Sequence, residues 1–418
     1  MLETLKNAWK IPDLRKRITF TVAMLVVFRV GAFIPVPGIN KTVIQNIVEK
    51  GGLLGFFDVV SGGAFKNFTI FALSITPYIT ASIIMQLLTI AIPKLEELAK
   101  EGEEGRKKIA QFTRYGTVVL ALVQSVALSM GLRGALYSAT TMNIAIVALT
   151  LTAGTAFLMW LGEQITDKGI GNGISLLIFA GIISRLPDGL RVIYEYYKVG
   201  TTNIVEIILF AVLAIVIIAV VVAIQQGTRK IPVQYAKRVV GRKMYGGQST
   251  HIPIKVNQAG VIPVIFATSL LAFPQTIGAF FPNSWFYNFM NKYFAWGGFA
   301  HTLFEVILIV FFTYFYTAIT FNPIEVANNL KKYGGFIPGI RPGKPTVDFI
   351  NKVLNRITLV GAFFLVGIII IPVVLMKFTG LKIYFGGTAL LIVVGVALET
   401  MKQIEAQMLM RHYQGFLK

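Results

Sequence analysis

Long apolar runs alternate with short polar or basic stretches along the whole chain, and that alternation sets the fold class. The run 207–224 contains no charge, Pro or Gly and approaches the ~20 apolar residues a helix needs to cross a bilayer. Ten spans are predicted: 18–34, 69–92, 115–132, 144–161 and 174–186 in the first half, then 204–224, 259–281, 302–320, 357–376 and 384–398 in the second. A buried core helix would explain one such run but not its recurrence. The pattern predicts an all-α polytopic membrane protein with ten transmembrane helices. Ten spans put both termini on one side, and a division near residue 200 leaves five in each of two halves, 1–200 and 201–418. An odd number per half forces the halves into opposite orientations, the arrangement of inverted-repeat transporters and channels. No residue-level repeat is obvious, so the division rests on counting.

Composition agrees with this class. Of 418 residues, 55% are hydrophobic and only 14% charged, where a soluble chain averages about 25% charged; mean hydropathy is +0.70. The net charge of +20 then becomes informative through its placement. With the N-terminus inside, 28 of the 39 Lys and Arg fall in cytoplasmic segments and 10 outside, with Arg29 inside the first span. Basic residues collect on the cytoplasmic side, which predicts both termini inside. A basic nucleic-acid enzyme does not fit the apolar content, although contact with ribosomal RNA is compatible with it. Two basic loops, 225–258 and 321–356, are too long for simple turns and are expected to dock something large.

There is no cysteine, which excludes disulfides, thiolate metal sites and a thiol nucleophile. The first run leads into Pro35-Val36-Pro37-Gly38 without a small-x-small cleavage site, so it is read as a retained span and not a signal peptide. Ionisable groups within spans are few: Arg29, Glu305, and Glu163, Arg185, Glu206 and Glu399 near ends. A central charge costs about 2.5–3.5 kcal/mol and usually marks an ion path. The end-located charges are expected to snorkel to the interface, which argues against an ion-coupled pump.

Segment 51–65 (GGLLGFFDVVSGGAF) is apolar and Gly-rich but too short to span. It reads either as an external interfacial loop or as a short helix folded back into a cavity. Pro77 lies within the second span and should bend it. Ile75 and Ile79 share a helix face, as do Ile174 and Ile178; by composition alone all four are lipid- or core-facing. The turn 168–173 (KGIGNG) has no preceding strand, so it reads as a reversal and helix start and not a phosphate loop. His251, His301 and His412 fall in separate segments, and no catalytic or metal-ligating constellation appears. No enzyme activity, cofactor or metal is expected.

Several strings together resemble the SecY family of protein-conducting channels. They are FIPVPG (33–38), SITPYITASIIMQLL (74–88), EGEEGRKKIAQFTRYG (101–116), LGEQITDKGIGNGIS (161–175), YAKR and GRKMYGGQSTHIPIKVNQAG within 235–260, PGIRPG (338–343) and FGGTALLIVV (385–394). They extend over nearly the whole chain, and their set is far more specific than any member. The resemblance implies a clamshell of two inverted halves around a central pore, with a lateral gate lined by spans two, three, seven and eight. It implies a pore ring of Ile75, Ile79, Ile174, Ile178, Ile265 and Ile392, since branched apolar side chains resist wetting and bind no passing chain strongly. Residues 51–65 correspond to a plug, centred on Leu54, Gly55, Phe56, Phe57, Asp58, Val59, Val60, Ser61 and Gly62. Gln86, Gln124 and Asn257 would form a polar cluster across the gate, and Arg242, Lys243 and Arg341 would serve docking. A Lys at 243 cannot bind in the bidentate way of Arg.

The implied partners are SecE and SecG in a heterotrimer, the ATPase SecA, the ribosome, signal sequences and nascent polypeptides, and membrane lipids. Translation or SecA would supply the drive. An inverted-repeat secondary transporter is the main alternative from the residues alone, and it predicts a charged or unwound midplane site that the sequence scarcely offers. An insertase without a sealed pore is the other.

Overall fold

The computed structural model describes residues 2–49, 58, 61–138, 140–200, 203–235, 238–240, 243–245, 249–278, 284–294, 298–379 and 387–415. The first half runs through α1 (Leu2–Lys10), α2 (Pro12–Gly31), α3 (Lys41–Glu49), α4 (Thr76–Ala91), α5 (Pro93–Lys100), α6 (Glu103–Gly131), α7 (Thr141–Lys168), α8 (Gly173–Ser184) and α9 (Leu186–Lys198). The second half begins with α10 (Ile204–Gln226), β1 (Thr228–Tyr235), β2 (Arg238–Val240), β3 (Lys243–Tyr245) and β4 (Ser249–Lys255). It continues with α11 (Ile262–Gly278), α12 (Trp285–Tyr293), α13 (Phe299–Thr320), α14 (Pro323–Lys332), β5 (Gly335–Phe336), α15 (Lys344–Thr379) and α16 (Gly387–Gly415).

A helix lies over each of the ten apolar runs. Among the described residues, six helical stretches are individually long and apolar enough to cross a bilayer, those of α6, α7, α10, α13, α15 and α16. The bent pair α4–α5 makes a seventh, and α11 is a shorter apolar helix. The bend of 100° between α4 and α5 falls where Ile92, extended at φ −110° and ψ 113°, precedes Pro93. The proline ring disfavours a helical residue before it, so the chain must turn.

The second span departs from expectation. Helix α4 starts only at Thr76, and Pro77 lies in its first turn, where a missing N–H costs nothing. Pro77 therefore starts the helix instead of bending it. The preceding residues 61–75 form successive turns, with Phe68 and Ser74 at positive φ, 43° and 53°. This stretch lies tightly on α7, since a Cβ at Gly154 would collide with the Ile70 carbonyl.

The basic loops add strands to an otherwise helical chain. β1 pairs antiparallel with β4, Ile231 opposite Ile252 and Val233 opposite Thr250. β5 adds to the other edge of β1 through Gln234 opposite Phe336, so loops 225–258 and 321–356 share one sheet. Alternation along β1 turns Ile231 and Val233 inward, onto a small core with Ile254, Leu330, Ile337, Ile350 and Leu354.

The largest core draws on both halves. Helices α4 and α6 pack on α11, α11 on α13 and α13 on α15; a separate contact joins α8 to α16.

Candidate pore and gate

The six isoleucines enter from four helices. Ile75 caps the start of α4, and the bond from Ile79 N to Ile75 O, 3.0 Å, keeps the two on one face. Ile174 and Ile178 lie in α8, Ile265 in α11 and Ile392 in α16. Ile75, Ile79, Ile178 and Ile392 are buried in one continuous apolar cluster, and Ile174 and Ile265 are half-buried and packed against that cluster. The close approach of α8 to α7 is set by glycine: a Cβ at Gly173 would strike the Gly162 carbonyl. Chemically the cluster offers branched hydrocarbon and no hydrogen-bonding group, a surface that resists wetting.

Of the expected plug, Leu54, Gly55, Phe56, Phe57, Val59 and Val60 lie outside the described residues. Asp58, Ser61 and Gly62 are described, and they are anchored. Asp58 is 1% exposed and forms an ion pair with Arg185, at the junction of α8 and α9. Its other carboxylate oxygen accepts from Lys66 N at 2.6 Å, and its carbonyl accepts from Gly63 N at 2.8 Å. Arg185 also pairs with Asp188 at 2.7 Å. Arg29 Nη1 donates to the Gly62 carbonyl at 2.7 Å, and its guanidinium lies 5.0 Å from the Phe33 ring centre. Gly62 adopts φ +67° against α8, where a Cβ would come within 2.9 Å of Gly181 Cα. The expectation that Arg185 simply snorkels is therefore corrected, since it pairs with Asp58; Arg29, within the first span, likewise bonds this segment at Gly62. A desolvated charge is retained where a partner compensates it.

Elsewhere the end charges behave variously. Glu163 pairs with Arg114 at 2.7 Å, whereas Glu305 is buried in α13 with its carboxylate 3.8 Å from His301 Nδ1.

At the gate, Gln124 on α6 and Asn257 before α11 are buried, and Gln86 on α4 is half-buried. Gln86 donates to Ser82 Oγ at 3.3 Å within its own helix. Asn257 donates to the Gly260 carbonyl at 2.9 Å, and its Oδ1 is buried without a hydrogen-bond partner. Helices α4 and α6, which carry Gln86 and Gln124, both pack on α11, which follows Asn257 in the chain.

Arg242 lies outside the described residues. Lys243 opens β3 opposite Val240 of β2. Arg341 is exposed, and its carbonyl accepts from Thr346 Oγ1 at 2.9 Å, fixing the turn that presents it. Sequence reasoning missed the pairing of Asp58 with Arg185 and of Arg29 with Gly62. The one available signal was an aspartate inside an otherwise apolar segment.

Comparison with known proteins covers nearly the whole chain. The sequence profile of the SecY family matches residues 69–401. The protein translocase subunit SecY of Halalkalibacterium halodurans is 52% identical over 435 residues, covering 100% of both chains. A solved SecY, whose plug domain stabilises the closed state of its translocation channel and maintains a membrane seal, superposes with a TM-score of 0.67 at 23% identity, covering 94% of this chain and 92% of the other. The channel of the canine ribosome-channel complex from the endoplasmic reticulum superposes with a TM-score of 0.61 at 19% identity, covering 94% and 92%. At those identities the structures share the fold.

Proposed function

The chain belongs to the SecY family of protein translocase subunits, and from that premise we propose how its residues conduct polypeptides. It is a protein-conducting channel subunit: unfolded secretory chains pass through it, and transmembrane segments leave sideways through a lateral gate. The secondary-transporter reading has no observation in its favour. The proposal carries the roles of residues and partners. Its main support is the convergence of Ile75, Ile79, Ile174, Ile178, Ile265 and Ile392, from both halves, in one apolar cluster.

In this reading residues 1–200 and 201–418 are the two shells of the clamshell, and the isoleucine cluster is the closed constriction. The plug is anchored at its described residues, by Arg185 on Asp58 and Arg29 on Gly62. The seam of α4 and α6 on α11 is the lateral gate, with Gln86, Gln124 and Asn257 at its polar end. An apolar signal helix binds the parted seam better than the closed one, and that difference shifts the population toward open. The two basic loops, joined through the β4-β1-β5 sheet, offer Lys243 of the separate β2–β3 hairpin and Arg341 of the later turn to SecA or the ribosome, with Arg242 sharing that role and ribosomal RNA as one contacted surface. SecA or translation supplies the energy, the channel itself catalysing nothing, and SecE and SecG complete a heterotrimer. Both termini face the cytoplasm of a bacterial cell.

The experiment is co-purification followed by reconstitution. The chain should bring down two small membrane subunits and, with SecA and ATP, move a secretory precursor into vesicles. Purification alone, with no precursor transport under any drive, would contradict the proposal.

A further inference from the structure

We propose that α9 is an interfacial helix seated in the bilayer leaflet at the plug end, with its apolar face against lipid. Leu186, Leu190, Ile193 and Tyr197 recur at i, i+4, i+7 and i+11 and form one face, flanked by Tyr194. Asp188, Arg191, Glu195 and Lys198 occupy the opposite arc. Among the described residues the apolar face is largely uncovered: Leu190 and Tyr194 are each 65% exposed and Tyr197 47%, and no residue of the helix is buried.

Its neighbours identify the occupant. Helix α8 has 12 residues, a rise of about 18 Å, against a hydrocarbon core of about 30 Å. Arg185 is both the C-cap of α8 and the N-cap of α9, so no linker carries α9 out to bulk water. From that length we infer that the chain leaves α8 within the leaflet, among acyl chains and headgroups. After α9, the chain returns at Ile204 and Val205, 57% and 70% exposed, directly into the apolar α10. Tyrosine is favoured where hydrocarbon meets headgroups, and α9 offers Tyr194, Tyr196 and Tyr197. Two acids oppose two bases on the polar arc, so apolar burial and not lipid charge provides the attachment. Helices of this kind lie in the interface plane.

The cysteine-free chain permits a direct test. Leu190→Cys, Tyr194→Cys, Arg191→Cys and Glu195→Cys are each labelled with a nitroxide in the full chain with its co-purifying subunits. The samples are reconstituted in phosphatidylcholine–phosphatidylglycerol vesicles. Labels at 190 and 194 should be several-fold more accessible to oxygen than to a water-soluble nickel complex, with the order reversed at 191 and 195. The same pattern should persist in phosphatidylcholine alone. Equal nickel access at all four positions would place α9 in water and overturn the proposal. Shielding of 190 and 194 from both reagents would overturn it equally, by showing that a protein subunit covers the face.

Discussion

Arg185 reaches Asp58 across 127 positions of sequence and pairs with it at the end of α8. The carboxylate is buried and the guanidinium only partly exposed, 22%. The residue that ends α8 therefore also holds Asp58, in the segment proposed as the plug.

Arg185→Ala should loosen that base. Removing one member of a buried pair leaves an uncompensated charge, a cost of roughly 3 kcal/mol at the low end. If that cost falls on the closed state alone, the closed-to-open ratio drops by about 100-fold. Ion conductance of reconstituted channels should rise, and Asp58→Arg combined with Arg185→Asp should recover part of the seal. Conductance indifferent to both changes would remove the pair from gating.

Gly62→Ala should act on the same seat by sterics. Gly62 has φ +67°, and its added Cβ would approach Gly181 Cα and Ser184 Oγ to 2.9 Å. The left-handed conformation alone costs a side chain about 1–2 kcal/mol. Gly63→Ala shares the conformation, φ +87°, but its nearest contact is 3.6 Å, so it should leak less. Equal leak from both substitutions would assign the effect to backbone strain and not to packing on α8.

Arg341→Glu should impair SecA- or ribosome-dependent transport while leaving the fold intact. The residue is exposed in a turn held by its own backbone carbonyl. Surface changes of this kind usually stay within about 0.5 kcal/mol of the parent. Thermal unfolding should match the parent while partner binding falls. Normal transport together with normal binding would reduce Arg341 to a topology signal.

The helices were legible in the sequence because each apolar run is long compared with its flanks. The face shared by Ile174 and Ile178 followed from spacing, while the choice of Ile265 and Ile392 as their partners came only through family resemblance. Three features escaped. Pro77 looked like a kink because hydropathy does not mark where turns give way to helix, and residues 69–75 are as apolar as α4 itself. The sheet was missed because β5 has two residues and its partner strand lies in the other loop. The pairs of Arg29 and Arg185 are tertiary, and nothing local distinguishes them from charges bound for the interface. The polar trio was legible as residue types only: Gln86 bonds within its helix and Asn257 within its turn.

Polar substitutions in the isoleucine cluster should open the constriction. Ile79→Asn, Ile178→Asn or Ile265→Asn places an amide where the closed state is dry, and burying an unsatisfied amide costs about 1–3 kcal/mol. An open, wet pore relieves that cost. Each substitution should increase ion leak and pass precursors with defective signal sequences. Loss of transport with no added leak would point to misfolding and away from a pore lining.

The central claim is that these isoleucines line the path of the moving chain, and site-specific crosslinking tests it most directly. Single cysteines at Ile79, Ile178, Ile265 and Ile392, in an otherwise cysteine-free protein, are challenged with a translocating polypeptide stalled midway and carrying one cysteine. All four positions should form disulfides with the stalled chain, and cysteines at the exposed Val205 and Val216 of α10 should not. Adducts with lipid at the four positions, and none with the stalled chain, would contradict the account.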